Sequence, residues 1–481
     1  MKRMVAKKHY FLLVVVLAVA ALCLLDYKAP AAQAAQAAHP AQGAQYSSAD
    51  QSCPDSHFQE YLGNALKPDA LFPVQETVKK HNPDCNFHQW SWEAFVWATA
   101  LDDKGVPRFL GLPTPSDLLS KSGNAREIHV RPLKLAARGF EGTGAFVQAD
   151  NNVLVAPNGY PVYGSIHMNQ MYFDTAKKNL IATGGYLSEN QDSTFTVGAA
   201  VFKATWLRLD PGQKPPEGAY TTEAQVPDLM TTKDGVIVAT SKFKTVKVAL
   251  VGLHVTGATP HHPEFLWGTF EHNLNTPEVP DNTFSTSGSN PNNYTFYKAN
   301  TPFDKVNQAA APPVLTLDPA TQKLSHVTNA VLENETGGEN QVENGKLVGP
   351  GNIRALNNSG QSFLKGLKGP ESKFANYKLI GTVWMDPDTY NTNSTNANAV
   401  GSIYLANTTA ETFAQQLSTE FTPPQNCFSC HKPVSYAKPL CPPALNNRTI
   451  ALSHVLAEGT NYAIQNQVPK PTSCPTPKAG Q

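Results

Sequence analysis

The hydrophobic positions change character along the chain. Residues 11–25, FLLVVVLAVAALCLL, form an unbroken apolar run that ends at Asp26, and Lys2, Arg3, Lys7 and Lys8 precede it. A membrane-spanning helix needs roughly 20 such residues, so the run has the length of a signal-peptide core. Small residues follow in APAAQAAQAAHP, with A-x-A sites ending at Ala31, Ala34 or Ala37. The pattern predicts a signal peptide over 1–37 and a flexible Ala/Gln/Ser-rich leader over 38–52. It also predicts export to a bacterial periplasm, with membrane contact only through the N-terminal segment if that stays uncleaved.

Helical periodicity appears next, in CNFHQWSWEAFVWATA at 85–100. Phe87, Trp90, Ala94, Trp97 and Ala98 keep helical spacing and predict an aromatic core-packing face. His88 and Glu93 are polar members of the same helix that could approach a cofactor or substrate. From about residue 150 the pattern turns to strands. NNVLVAPNGYPVYGSIHMNQMYFD reads as a hairpin around APNGYP, and GAAVFKATWLRLD, GVIVAT, KVALVGLHVTG, EFLWGTFEH and YKLIGTVWM as further strands. The polar stretches 275–322, 334–362 and 387–399 read as long loops. No repeat of fixed period occurs, which argues against a propeller or solenoid.

Near the C-terminus the helical period returns. In NTTAETFAQQL, Thr408 and Glu411 have capping-box spacing, and Ala410, Phe413, Ala414 and Leu417 fall on one helical face. NNRTIALSHVLAEG begins with cap-type residues, ends at Gly459, and carries Ile450, Leu452, Val455 and Leu456 around its axis. A helix apolar nearly all round is a buried one. The resulting fold class is α+β. A β-rich main body with a Trp-rich N-terminal helix spans 53–404, and a small, mainly helical segment spans 405–481.

Composition narrows the function. Hydrophobic residues make up 41% of the 481, enough for a sizeable core, and 38 cations balance 38 acids. With no basic excess, a nucleic-acid partner is not expected. Low charge with 38 prolines and 32 glycines favours strands joined by turns. No G-x-S-x-G, P-loop, G-x-G-x-x-G or paired-carboxylate motif gives positive support to a hydrolase or a nucleotide enzyme.

Seven cysteines are present, and Cys23 lies in the apolar leader. Cys427, Cys430 and His431 form C-x-x-C-H within NCFSCHKP. Setting that pair aside, the economical pairing in an oxidising compartment is Cys53–Cys85 and Cys441–Cys474. A zinc site built on C-x-x-C usually repeats the pair, and this chain has one. A thioredoxin-type dithiol belongs at a strand-to-helix junction, which TPPQN and KPVSYAKP do not resemble. Haem attachment uses every residue of the motif: two thiols tether the porphyrin edge and the adjacent imidazole becomes the proximal iron ligand.

The motif resembles the haem-attachment site of c-type cytochromes, on Cys427, Cys430 and His431. The resemblance implies one haem c, with His431 as proximal ligand. Small cytochromes of that kind place a methionine well downstream, but the last methionine here is Met385. His454 is then the downstream candidate for the distal iron ligand; the alternative is a core histidine bonded to backbone. Body candidates are Met168 and Met171 in SIHMNQMYF, read as strand-like, and Met385. HMNQM also has the soft donors of a copper site. His254, His261, His262 and His272, with Glu264 and Glu271, are candidate metal ligands or acid–base groups, although no H-E-x-x-H or three-ligand spacing appears.

FHQWSWEAF, HPEFLWGTFEH and the run LANTTAETFAQ, NCFSCH, LSHVL also resemble parts of a bacterial group of exported cytochrome-c-like proteins. That likeness implies that body and haem segment form one recurring unit, without implying a reaction. The expected function is one-electron transfer by a periplasmic monohaem cytochrome to an unspecified redox partner. In an oxidoreductase version, the body also binds a substrate. The alternative is a secreted binding or structural protein whose C-x-x-C is a disulfide or metal site.

Overall fold

One strand of 21 residues organises the sheet. In KVALVGLHVTG, Val251, Leu253 and Val255 fall at every second position, which suits a pleated backbone. The computed structural model joins this stretch to the preceding GVIVAT, so two expected strands are one continuous strand, Ile237–Gly257. Residues 53–74, 83–119, 133–134, 146, 148, 152–182, 195–279, 288–311, 313–333, 336, 341–343, 346–348, 351–385, 399–415 and 425–431 are described. The expected signal peptide and leader, the Cys441–Cys474 pairing and the helix bearing His454 lie outside the described residues.

In chain order the described helices are α1 (Phe58–Ala65), α2 (Pro83–Thr99), α3 (Pro115–Leu119), α4 (Gln170–Ala182), α5 (Gly351–Gly366) and α6 (Cys427–Cys430). The strands are β1 (Leu133–Lys134), β2 (Val162–Met168), β3 (Ala200–Arg208), β4 (Thr221–Thr231), β5 (Ile237–Gly257), β6 (Leu266–His272), β7 (Thr316–Asp318), β8 (Lys323–Ser325), β9 (Gln341–Glu343), β10 (Lys346–Val348), β11 (Tyr377–Met385) and β12 (Ala399–Gly401). β2 pairs with β3, and β3 with one edge of β5. Along its other edge β5 pairs first with β4 and then with β6, which leads through β11 to β12. These pairs are antiparallel, and the two-residue β1 joins β4 in parallel. The body is therefore a large antiparallel sheet with helices, as the α+β class requires.

Helices α2 and α5 cover one face of this sheet. Helix α2 is buried almost all round rather than along one stripe, since Phe87, Trp90, Trp92, Phe95 and Trp97 are all buried. Each indole N–H has an acceptor: Pro73 O for Trp90, Asn357 Oδ1 for Trp92 and Ala70 O for Trp97. A buried polar tip without a partner would cost on the order of 1–3 kcal/mol. Close approach to the sheet depends on Gly268, where an added Cβ would meet Ser91 Cβ at 2.8 Å. Ser91 Oγ in turn bonds Thr382 Oγ1 at 2.7 Å, fixing α2 against β11. Cys53 and Cys85 form a disulfide that ties the start of the described chain to the first turn of α2.

The structure departs from the sequence reading at several elements. Within the expected loop 334–362, GNIRALNNSGQSFLKG forms α5, which buries Ile353, Leu356 and Leu364. The unexpected strand β4 tolerates Pro227 because the ladder is irregular between Pro227 and Leu229. SIHMNQMYF is strand only to Met168; Asn169 Oδ1 accepts from Tyr172 N–H at 3.0 Å, and α4 begins at Gln170. The APNGYP turn closes as expected, with Ala156 N–H donating to Tyr160 O at 2.9 Å.

Glu93 gives the fold a pH dependence. Burial, helped by the nearby Asp55 carboxylate, pushes its carboxyl up to about 8 from the usual 4.5. The folded state therefore holds a proton that the unfolded chain releases. That contribution is full below about pH 4.5 and is lost as pH rises through about 8. Thermal melts between pH 5 and 9 should show stability falling by on the order of 4 kcal/mol from this group. Glu93→Gln should flatten the slope; an unchanged slope would refute the assignment.

Candidate functional site

The sheet face away from α2 carries three rows of side chains, fixed by the register of β3, β5 and β6. The first row is Val201, Thr256 and Trp267, continued by Val383 of β11. Lys203, His254 and Thr269 make the second, and Thr205, Gly252 and Glu271 the third. Side chains two apart on a strand share a face, so the rows stack on one surface. This face changes from apolar to polar between the first row and the third.

Residues 402–415 lie over the polar rows as a strap. Asn407 Nδ2 donates to Thr269 Oγ1 at 2.9 Å and to Phe270 O at 3.1 Å. Its Oδ1 accepts from Thr409 N–H at 2.9 Å and from Thr409 Oγ1 at 2.7 Å. Thr408 gives both N–H and hydroxyl to the buried Glu271 carboxyl, and Thr409 Oγ1 meets Thr205 Oγ1 at 2.6 Å. At Gly252 a Cβ would lie 2.5 Å from both those threonine hydroxyls, so glycine lets the strap seat.

The expected helix from Thr408 to Leu417 is absent from the described part of this segment; Thr412–Ala414 is a single 3-10 turn. Its capping threonine, Thr408, spends its N–H and hydroxyl on Glu271 of the sheet instead. Glu411 Oε2 accepts from Asn407 N–H at 3.0 Å, and Oε1 lies 3.2 Å from His254 Nε2 and 3.7 Å from Lys203 Nζ. Burial opposes ionisation of Glu411, but His254 and Lys203 outweigh it and hold the carboxyl below its usual range.

The C-x-x-C-H motif sits over the apolar row. Asn426 caps α6 by accepting Phe428 N–H at 2.9 Å, while Ser429 Oγ accepts Asn426 N–H at 3.0 Å. Asn426 Nδ2 also reaches Ile403 O at 2.9 Å, and Leu405 N–H reaches Gln425 O at 2.9 Å, binding the motif to the strap. Phe428 is fully buried in an apolar cluster with Ile166, Met168, Trp267, Val383 and Met385. Cys427 packs on that cluster, and His431 lies with its ring 4.4 Å from the Trp267 ring. Cys427 and Cys430 are half-buried thiols. Burial pushes the Cys427 thiol up, and the Glu411 carboxylate adds to the effect.

The other sequence candidates are dispersed. His262 and Glu264 form a buried pair, Nδ1 to Oε1 at 2.7 Å, away from Glu271, which serves the strap. His272 Nε2 meets Glu217 O at 3.1 Å, and burial lowers its pKa to about 4, as fits a neutral structural histidine. His261 is exposed, and His88 is buried against Trp384. Met168 and Met385 share the cluster that holds Phe428, whereas Met171 is exposed on α4. Among the described residues, no group of three or more His, Cys, Asp or Glu side chains is placed to hold a metal ion. Sequence reasoning missed Lys203 and Asn407, whose partners stand far away along the chain and leave no local signal.

The residues present fit a covalently attached haem. One helical turn puts Cys427 and Cys430 at i and i+3, on the same side, and the imidazole follows at once. An apolar wall of Phe428, Trp267 and Val383 adjoins them. No protein-family profile, curated protein or solved structure matches this chain.

Proposed function

We propose that the protein is an exported monohaem c-type cytochrome that transfers single electrons. The observation carrying the proposal is the seating of Cys427, Cys430 and His431 as one capped turn on the apolar end of the sheet face. A redox-active dithiol with Cys427 as the attacking thiol is disfavoured, because its surroundings raise that thiol's pKa rather than lower it. Attachment would consume each thiol whole, its S–H adding across a vinyl C=C with sulfur on one carbon and hydrogen on the other, so no oxidant would be needed. When bound, an iron porphyrin supplies one-electron chemistry at the iron. Cys427 and Cys430 would hold the macrocycle edge, His431 would offer its imidazole to the metal, and Phe428 with Trp267 would keep water from one side. The Cys53–Cys85 disulfide supports an oxidising compartment. The C-terminal haem segment extends beyond the described residues to include His454 as candidate distal ligand.

The test is an absorption spectrum, oxidised and reduced, with pyridine haemochrome and intact mass, on protein from cells with haem-ligation machinery. One covalent haem per chain is expected. A colourless product in which Cys427 and Cys430 are joined to each other would favour the secreted binding protein instead.

A further inference from the structure

Trp267 is fixed from several directions. Its strand is paired on both edges, with Thr256 of β5 and Val383 of β11 as cross-strand neighbours. The indole Nε1–H donates to Glu264 O at 2.9 Å, and Phe428 packs edge-on at 5.9 Å. Glu264 is itself immobilised: Oε1 lies 2.7 Å from His262 Nδ1 and accepts Met385 N–H at 3.2 Å, with all three residues buried. His431 stands at the end of α6, where its N–H bonds Cys427 O at 2.8 Å. Its imidazole lies against the indole, 4.4 Å between ring centroids and 41° between planes.

We propose that Trp267 is the positioning residue for the His431 imidazole, fixing the plane in which that ring meets the haem iron and screening it from water. The inference rests on the cytochrome reading. The groups that orient a metal-bound histidine tune its metal, and burial of the site tunes the potential. A ferric haem carries one more positive charge than a ferrous one, so water admitted at His431 favours the oxidised form.

The experiment uses the full-length haem-loaded protein, comparing wild type with Trp267→Leu and Trp267→Phe. Trp267→Leu is expected to keep one haem per chain by pyridine haemochrome, to shift the ferric EPR g values, and to lower the midpoint potential. Trp267→Phe restores a ring face without the N–H and is expected to move both readouts in the same direction by less. A purely structural tryptophan would lower the melting temperature alone. Haem-loaded Trp267→Leu with unmoved g values and potential overturns the proposal. If that variant does not accumulate, wild-type values in Trp267→Phe overturn it equally. A wild-type protein without covalent haem overturns the cytochrome reading itself, and the haemochrome measurement separates the two failures.

Discussion

Replacing Cys427 and Cys430 together with alanine is expected to abolish covalent haem completely while leaving a folded body. The strap's bonds to the sheet run through Asn407, Thr408 and Thr409, Thr412 bonds Gln148, and α6 is capped by Asn426 and Ser429; none of these contacts uses a sulfur. Loss of two half-buried thiols should cost about 1–2 kcal/mol, within the ordinary range for single changes. The measurement is intact mass and visible absorbance beside a thermal melt. Haem retained through a covalent bond in the double variant would show that the attachment chemistry lies elsewhere.

Asn407→Ala should produce the largest loss of stability, about 3–5 kcal/mol, because each buried polar group left unmatched costs roughly 1–3 kcal/mol. The side chain is fully buried and serves the Thr269 hydroxyl, the Phe270 carbonyl and the Thr409 N–H at once. Its removal also takes away the acceptor of the Thr409 N–H and hydroxyl, which brace the turn that carries Glu411. Denaturant unfolding of the apoprotein measures the loss, and haem incorporation should fall with it as the motif loses its seat. A change below about 1 kcal/mol would mean that water replaces these bonds without strain.

What was legible in the sequence followed local rules. The α2 helix, β3, β6 and β11 carry strong periodicity or β-branched and aromatic density, and each stands within a few residues of its expected position. Helix α5 was hidden because its asparagines, serines and glycines have weak helix propensity; burial of Ile353, Leu356 and Leu364 against the core overrides it. Thr408–Glu411 shows the converse error. A good capping signature formed no α-helix there, since the same donors make stronger matches with the buried Glu271 across 137 positions of sequence. The C-x-x-C-H spacing is visible in the chain itself, whereas Trp267 and Lys203 come to one sheet face only through strand register, and Glu411 joins them only because the strap lies across that face.

The long sequence separations within the strap set an order of assembly. Thr412 reaches back 264 residues to Gln148, and Thr409 reaches back 204 to Thr205. Closing contacts so distant in sequence is slow. Until the strap docks, both motif cysteines remain open to a ligating enzyme; afterwards they are half-covered by the protein's own surface. On the cytochrome reading proposed above, a haem ligase would have its best opportunity before the strap docks, and delayed docking would lengthen that window.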